Sequence, residues 1–214
     1  MIKGIIFDLD GVLVSTDEYH FRSWQKISAE EGIYFTWEMN NNFRGVGRME
    51  CVDILLATTN KKYTQEEKKL IAIRKNKYFA ESLDLLDESA ILPGTIETLD
   101  NLRARGIKIG VGSNSRNAKA IINKLNLNDK LDVISDGYDI KNSKPDPEVF
   151  LLTAERLGLK SEECIVVEDA VAGIEAAHAA GMKALGIGTA DRLTKAEKVV
   201  KNLSEITIDE LLSI

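Results

Sequence analysis

A doubly wound parallel α/β sheet with an inserted helical domain is the fold class that three features of the 214-residue sequence predict. Short apolar runs of strand length, Ile5-Ile6-Phe7, Ile109-Gly110-Val111 and Ile165-Val166-Val167, each lead into polar residues. Runs of this kind, bounded by turn residues, read as strands buried on both faces. From about residue 91 strand and helix patterns alternate, which is the mark of repeated βα units. Residues 16–88 break the alternation and carry helical patterns only.

The first strand runs into Asp8-Leu9-Asp10-Gly11. Asp17 to Glu31 then reads as a helix, and Thr64-Gln65-Glu66-Glu67 is a capping box that opens another long one. The expected organisation is a core of residues 1–15 and 89–214 with a helical domain over 16–88. Inserted straight after the first strand, that domain is expected to stand over the strand's carboxyl end as a lid. Thr95 is expected to cap a helix with Ile96, Leu99 and Leu102 on one face, stopping near Gly106. A strand over 107–112, a helix over about 116–125 and a short strand at Val133-Ile134 follow. Asp146 as N-cap and Pro147 at the first helical position open a helix that ends at Gly158. Next come strand 164–168 and an alanine-rich helix 170–180, whose small residues, Gly173 among them, let it sit close to the sheet. Strand 183–187 and a closing strand and helix complete the chain.

Apolar residues make up 44%, enough for a sizeable core. A net charge of −6 and a pI of about 5.2 argue against nucleic acid or an anionic membrane as partner, since both call for a basic face. Cys51 and Cys164 are the only cysteines, so no disulfide framework is expected, in keeping with a reducing cytosol. No apolar stretch approaches membrane-spanning length and no signal peptide is visible, so a cytoplasmic protein is expected. No long apolar stripe calls for a dimer, and the expected state is a monomer.

Two carboxylates at i and i+2 on a strand end share one small region, and buried acids are costly unless paired or metal-bound. The pattern fits one carboxylate attacking, the other moving a proton, and a hard cation between them and a phosphate. Asp and Gly are also ordinary turn residues, so this pair alone decides little. Three later segments add to it. Ser113-Asn114-Ser115 follows the strand at 107–112, Lys144-Pro145-Asp146-Pro147 lies at a loop-to-helix junction, and Glu168-Asp169 ends the strand at 164–168. In an open parallel sheet such strand ends gather on one edge, where ligands bind.

Acid pair, hydroxyl, lysine and second acid pair, in this order over residues 8 to 169, resemble the haloacid dehalogenase superfamily of phosphotransferases. The resemblance implies a helical cap over 16–88 and Asp8 as the nucleophile that forms an aspartyl phosphate. It implies Asp10 as general acid and base, Ser113 as a donor to the phosphoryl group and Lys144 as the neutraliser of its charge. It further implies Mg²⁺ held by Asp8, the backbone carbonyl of Asp10, Glu168 and Asp169.

Phe7 to Val12, Glu18-Tyr19-His20-Phe21-Arg22, Trp24 and Gly45-Val46-Gly47-Arg48 are similar to the β-phosphoglucomutase branch of that superfamily. This implies a sugar-phosphate substrate touched by Thr16, His20 and Trp24 just past the hinge and by Arg44, Gly45, Val46 and Arg48 in a cap loop. Arg48 would grip the second phosphate of a bisphosphate, its guanidinium being a planar fork suited to phosphate. Asn114, Ser115, Arg116 and Asn117 would complete the site from the core. Ser15, Arg44, Gly47, Cys51 and Arg116 stand where that branch usually has Asp, Lys, Ser, Ser and Lys, and the lost hydroxyls at Gly47 and Cys51 thin the lining that positions a sugar. A sugar-phosphate phosphatase, with water as acceptor, stays open beside the mutase. A signalling receiver domain fits poorly, because it lacks a cap and carries its phosphorylated Asp on a later strand. His178 is assigned no role.

Overall fold

The computed structural model describes residues 1–43 and 46–214, so Arg44 and Gly45 lie outside the described residues. Two compact units divide the chain, Met1–Ser15 with Asp87–Ile214, and Thr16–Leu86. The second unit ends two residues before the end at 88 expected from sequence.

The first unit is built on six strands, β1 (Gly4–Phe7), β2 (Lys108–Gly112), β3 (Val133–Ser135), β4 (Cys164–Glu168), β5 (Lys183–Ile187) and β6 (Lys198–Val200). They pair in parallel in the order β3-β2-β1-β4-β5-β6. β1 is central because its four residues are wholly apolar or small and buried on both faces. The chain moves outward from β1 through β2 to β3, then returns to the other side at β4. That reversal opens a crevice at the carboxyl ends of β1, β2 and β4.

Helices α5 (Thr95–Ala104), α6 (Ala118–Lys124), α7 (Glu148–Leu157), α8 (Val171–Ala179) and α9 (Ile208–Leu212) belong to this unit. Ile6, Val166 and Ala184 share a core with Phe150, Ala154, Ile174 and Ala177 of α7 and α8. Gly110 and Gly112 lack side chains because α7 lies against β2: a Cβ on Gly110 would fall 2.6 Å from Thr153 Cγ2. Two helix starts differ from expectation. Thr95 does not cap α5, which opens on Gly94 at φ 83°. Its buried hydroxyl instead donates to the Leu13 carbonyl at 2.9 Å, a tertiary bond that replaces the local one. α7 begins at Glu148 rather than Pro147, and Asp146 Oδ1 accepts from the Glu148 N–H at 2.9 Å.

Among the described residues the second unit is helical, with α1 (Asp17–Glu30), α2 (Trp37–Asn41), α3 (Arg48–Leu56) and α4 (Gln65–Ser82). The expected capping box opens α4: Thr64 Oγ1 accepts from Glu67 N–H and Glu67 accepts from Thr64 N–H. Trp24, Ile27, Phe35, Phe43, Val52, Leu55 and Ile71 form its separate core. Arg74 of α4 pairs with Glu30 at 3.0 Å and Glu31 at 2.6 Å, fastening the long helix to the end of α1.

Candidate active site

The register of the sheet sets the site. Phe7 pairs with Val111 on one side and Val167 on the other, so the next residue of β1, Asp8, emerges beside the ends of β2 and β4. The Asp8 N–H is held by the Val167 carbonyl at 2.9 Å. Lys144 arrives from the loop before α7 and is only 6% exposed. Its ammonium donates to Asp8 Oδ1 at 2.5 Å and to Glu168 Oε1 at 2.8 Å. Phe150 lies beneath it, the ring centroid 4.5 Å from Nζ.

Both oxygens of Glu168 accept from protein donors. Its Oε2 accepts from the Ala170 N–H at 2.7 Å while Oε1 takes Lys144. Gly173 makes room for that carboxylate, since a Cβ there would fall 1.9 Å from Oε1. The small residue expected to bring a helix close to the sheet thus serves the site. Glu168, expected among the metal ligands, also serves as the second anchor of Lys144.

Asp10 lies in a tight turn, closed by the Gly11 N–H on the Val14 carbonyl at 2.7 Å and the Val14 N–H on the Leu9 carbonyl at 3.1 Å. Gly11 takes φ 84°, and a Cβ on it would fall 2.4 Å from Asp169 Oδ2. The acid loop after β1 and the acid after β4 therefore touch. Arg192, between β5 and β6, donates to the Asp169 carbonyl and stands 3.7 Å from its carboxylate. No sequence pattern marks Arg192, which reaches Asp169 only because β4 and β5 are neighbours.

Ser113 is buried at the end of β2, its hydroxyl oxygen accepting from the Ser115 N–H at 3.1 Å, which leaves the hydroxyl hydrogen to donate. Asn114 Oδ1 accepts from the Lys144 N–H at 3.2 Å. That bond fixes the amide orientation and leaves Nδ2 as a buried donor without a partner. Ser115 Oγ accepts from the Asn117 N–H at 3.2 Å, and Asn117 occupies the N-cap position of α6 without a side-chain cap bond. Arg116 is exposed on the same loop.

One ammonium here faces two buried carboxylates, with Asp10 and Asp169 adjacent. Burial, offset in part by Lys144 and reinforced by Glu168 and Asp10, pushes the Asp8 carboxyl up to about 7. Burial pulls the Lys144 ammonium down, but Asp8 and Glu168 outweigh it and hold it above the ordinary lysine range. An all-oxygen donor set with surplus negative charge suits a hard divalent cation. Among the described residues no three His, Cys, Asp or Glu side chains form a metal cluster. The side chains expected from the sequence to hold such a cation are Asp8, Glu168 and Asp169, with the Asp10 main-chain oxygen beside them.

In the second unit the candidates separate. Trp24, expected to touch substrate, is 3% exposed and packs edge-on against Phe43 at 5.1 Å. Val46 packs on the same core. Thr16 is buried, its carbonyl accepting from the His20 N–H at 2.9 Å. His20 stacks on Phe79 at 4.0 Å, and its Nδ1 lies 2.6 Å from Lys75 Nζ. Burial and the charges of Lys75 and Arg48 hold the imidazole well below the usual histidine range, so it is neutral and accepts from the ammonium. Lys75 escaped the sequence reading. The signal was there: it lies four residues from both Ile71 and Phe79, on the buried stripe of α4, where a lysine is out of place.

A family model described as haloacid dehalogenase-like hydrolase matches residues 2–181. The chain belongs to that family. As a haloacid dehalogenase-like protein it is 37% identical over 212 residues to the β-phosphoglucomutase of Bacillus subtilis (strain 168), covering 98% of this chain and 94% of that one. It is 31% identical to the phosphorylated carbohydrates phosphatase of Thermotoga maritima, covering 96% of this chain and 100% of that one. Its fold matches the crystal structure of a β-phosphoglucomutase from Clostridium difficile with a TM-score of 0.93 and 39% identity, over 100% of this chain and 96% of that one. A mutase and a phosphatase thus stand side by side among the relatives of this haloacid dehalogenase-like chain.

Proposed function

We propose that the chain is a phosphoglucomutase that interconverts β-D-glucose 1-phosphate and β-D-glucose 6-phosphate through an aspartyl phosphate and glucose 1,6-bisphosphate. The observation that carries the phosphoryl chemistry is the buried Asp8–Lys144–Glu168 group at the ends of β1 and β4.

An Asp8 carboxylate oxygen attacks phosphorus, and the bond from phosphorus to the sugar oxygen breaks. Asp10 gives a proton to that leaving oxygen and takes one back from the sugar hydroxyl that attacks next. Ser113, through its free hydroxyl hydrogen, and Asn114, through its unpaired Nδ2, donate to the phosphoryl oxygens. Lys144 neutralises charge that builds on them, and Glu168 holds Lys144 in place. Asp8, Glu168, Asp169 and the main-chain oxygen of Asp10 would hold Mg²⁺, which would supply the further positive charge needed to bring two anions together.

The first transfer, from phosphorylated Asp8 to the 6-hydroxyl of β-glucose 1-phosphate, gives the bisphosphate. After the bisphosphate turns over, Asp8 takes the 1-phosphoryl group and glucose 6-phosphate leaves. Such a cycle needs a cationic site for the phosphate that is not reacting. Arg48 with Lys75 in the helical unit, acting as a cap, and Arg116 in the core are the candidates.

The phosphatase reading shares the first half of the cycle and differs in using water as acceptor. It is supported by the full-length match to the Thermotoga phosphatase and by the missing hydroxyls at Gly47 and Cys51. Product analysis decides. With β-glucose 1-phosphate, Mg²⁺ and a trace of the bisphosphate, a mutase yields glucose 6-phosphate far in excess of inorganic phosphate. Equimolar glucose and phosphate would replace this proposal with the phosphatase.

A further inference from the structure

Tyr138 is an exposed aromatic residue, 71% accessible, at the site's edge of the sheet. Its main chain is pinned on every side. The Tyr138 N–H donates to Asp136 Oδ1 at 3.0 Å, and Asp136 is buried directly after β3. Asp139 on its other side is gripped by both terminal nitrogens of Arg156, at 2.9 and 3.0 Å. Gly137 ties this loop to the one after β2, its N–H donating to the Ser115 carbonyl at 3.2 Å. The approach is so close that a Cβ on Gly137 would fall 2.3 Å from the Asn114 carbonyl oxygen.

On this rigid support lies Arg116. Its Nε donates to the Gly137 carbonyl at 3.3 Å, and its guanidinium carbon is 5.3 Å from the centre of the Tyr138 ring. Among the described residues no carboxylate pairs with it, so the two terminal nitrogens keep their donors for something else. An arginine chain has large rotamer freedom, and an anion that had to order it on binding would lose affinity. We propose that Tyr138 is a positioning residue for substrate binding: its ring and the Gly137 carbonyl hold the Arg116 fork ready for the non-reacting phosphate of a sugar bisphosphate. This rests on the reading of Arg116 as a substrate-phosphate group.

Stacking at an exposed site is worth a modest factor, so Tyr138→Ala should raise the KM for glucose 1,6-bisphosphate roughly threefold to fivefold, with kcat within about twofold. Tyr138→Phe should keep the wild-type KM, because the ring and not the hydroxyl does the holding. Arg116→Ala should raise KM more than Tyr138→Ala, and adding Tyr138→Ala to it should change nothing further, since the ring acts only through the guanidinium. Melting temperatures should match the wild type in all four proteins. If Arg116→Ala raises KM but Tyr138→Ala does not, the positioning role fails while the Arg116 reading stands. An equal loss in Tyr138→Phe, or additive losses in the double variant, would mean that Tyr138 meets the ligand itself and would overturn the proposal. No loss in Arg116→Ala would overturn both.

Discussion

At the scale of single residues, the site is a problem of charge. Asp8, Glu168 and Lys144 are each less than a tenth exposed, and each is tolerable there only because of the others. Asp8→Asn should abolish phosphoryl transfer, since an amide is not a nucleophile of this kind, while circular dichroism and gel filtration should remain those of the native protein. Turnover near that of the wild type would remove Asp8 from its role. Lys144→Met is a harsher change. It leaves two buried carboxylates without their counter-charge, which typically costs about 3–5 kcal/mol. Activity should vanish and the melting temperature should fall by well over the change seen in Asp8→Asn; an undiminished melting temperature would show that the pairing contributes nothing to the fold. The strand-end acids and Lys144 were legible in the sequence because each sits where an apolar run or a helix junction delivers it. That Glu168 anchors Lys144 was not legible, because it depends on which donors lie within 3 Å in space.

At the scale of elements, α8 shows how a site shapes a helix. Ala at an internal helical position ordinarily stabilises a helix by up to about 1 kcal/mol relative to Gly. Gly173 should reverse that rule, because its Cβ would coincide with the Glu168 carboxylate. Gly173→Ala should therefore destabilise the protein by roughly 1–3 kcal/mol in denaturant titrations and lower kcat more than tenfold by displacing Lys144. A gain in stability with full activity would contradict the packing. The helix patterns themselves were readable from capping boxes and periodicity, as in α4. Thr95 was misread because Ser and Thr hydroxyls serve caps and tertiary bonds equally well, and only the position of the Leu13 carbonyl selects between them. Lys75 was readable from its place on an apolar stripe, by asking which polar residue breaks the pattern.

At the scale of the whole molecule, the candidate residues divide between the two units. Asp8, Asp10, Ser113 and Lys144 belong to the first unit, and Arg48, Lys75 and His20 to the second. If Arg48 serves the phosphate that does not react, Arg48→Ala should cut mutase kcat/KM by roughly a hundredfold, about 3 kcal/mol. Slow hydrolysis of acetyl phosphate, which has no second phosphate, should barely change. Equal losses in both assays would place Arg48 at the reacting group or in the fold, and no loss in either would favour the phosphatase. Both activities should also disappear on removal of divalent cations with EDTA and return with Mg²⁺; activity in a thoroughly stripped sample would rule out the assigned cation. By itself the sequence determined the parallel sheet, the helical insertion and which polar residues the strand ends deliver, because apolar periodicity and turn residues act over a few positions. Only the tertiary structure decided that Lys144 joins Asp8 to Glu168, that Gly173 and Gly11 yield space to carboxylates, and that Arg192 reaches Asp169. Those outcomes depend on distances between atoms far apart in the chain, and burial makes such distances decisive by raising the cost of any charge left without a partner.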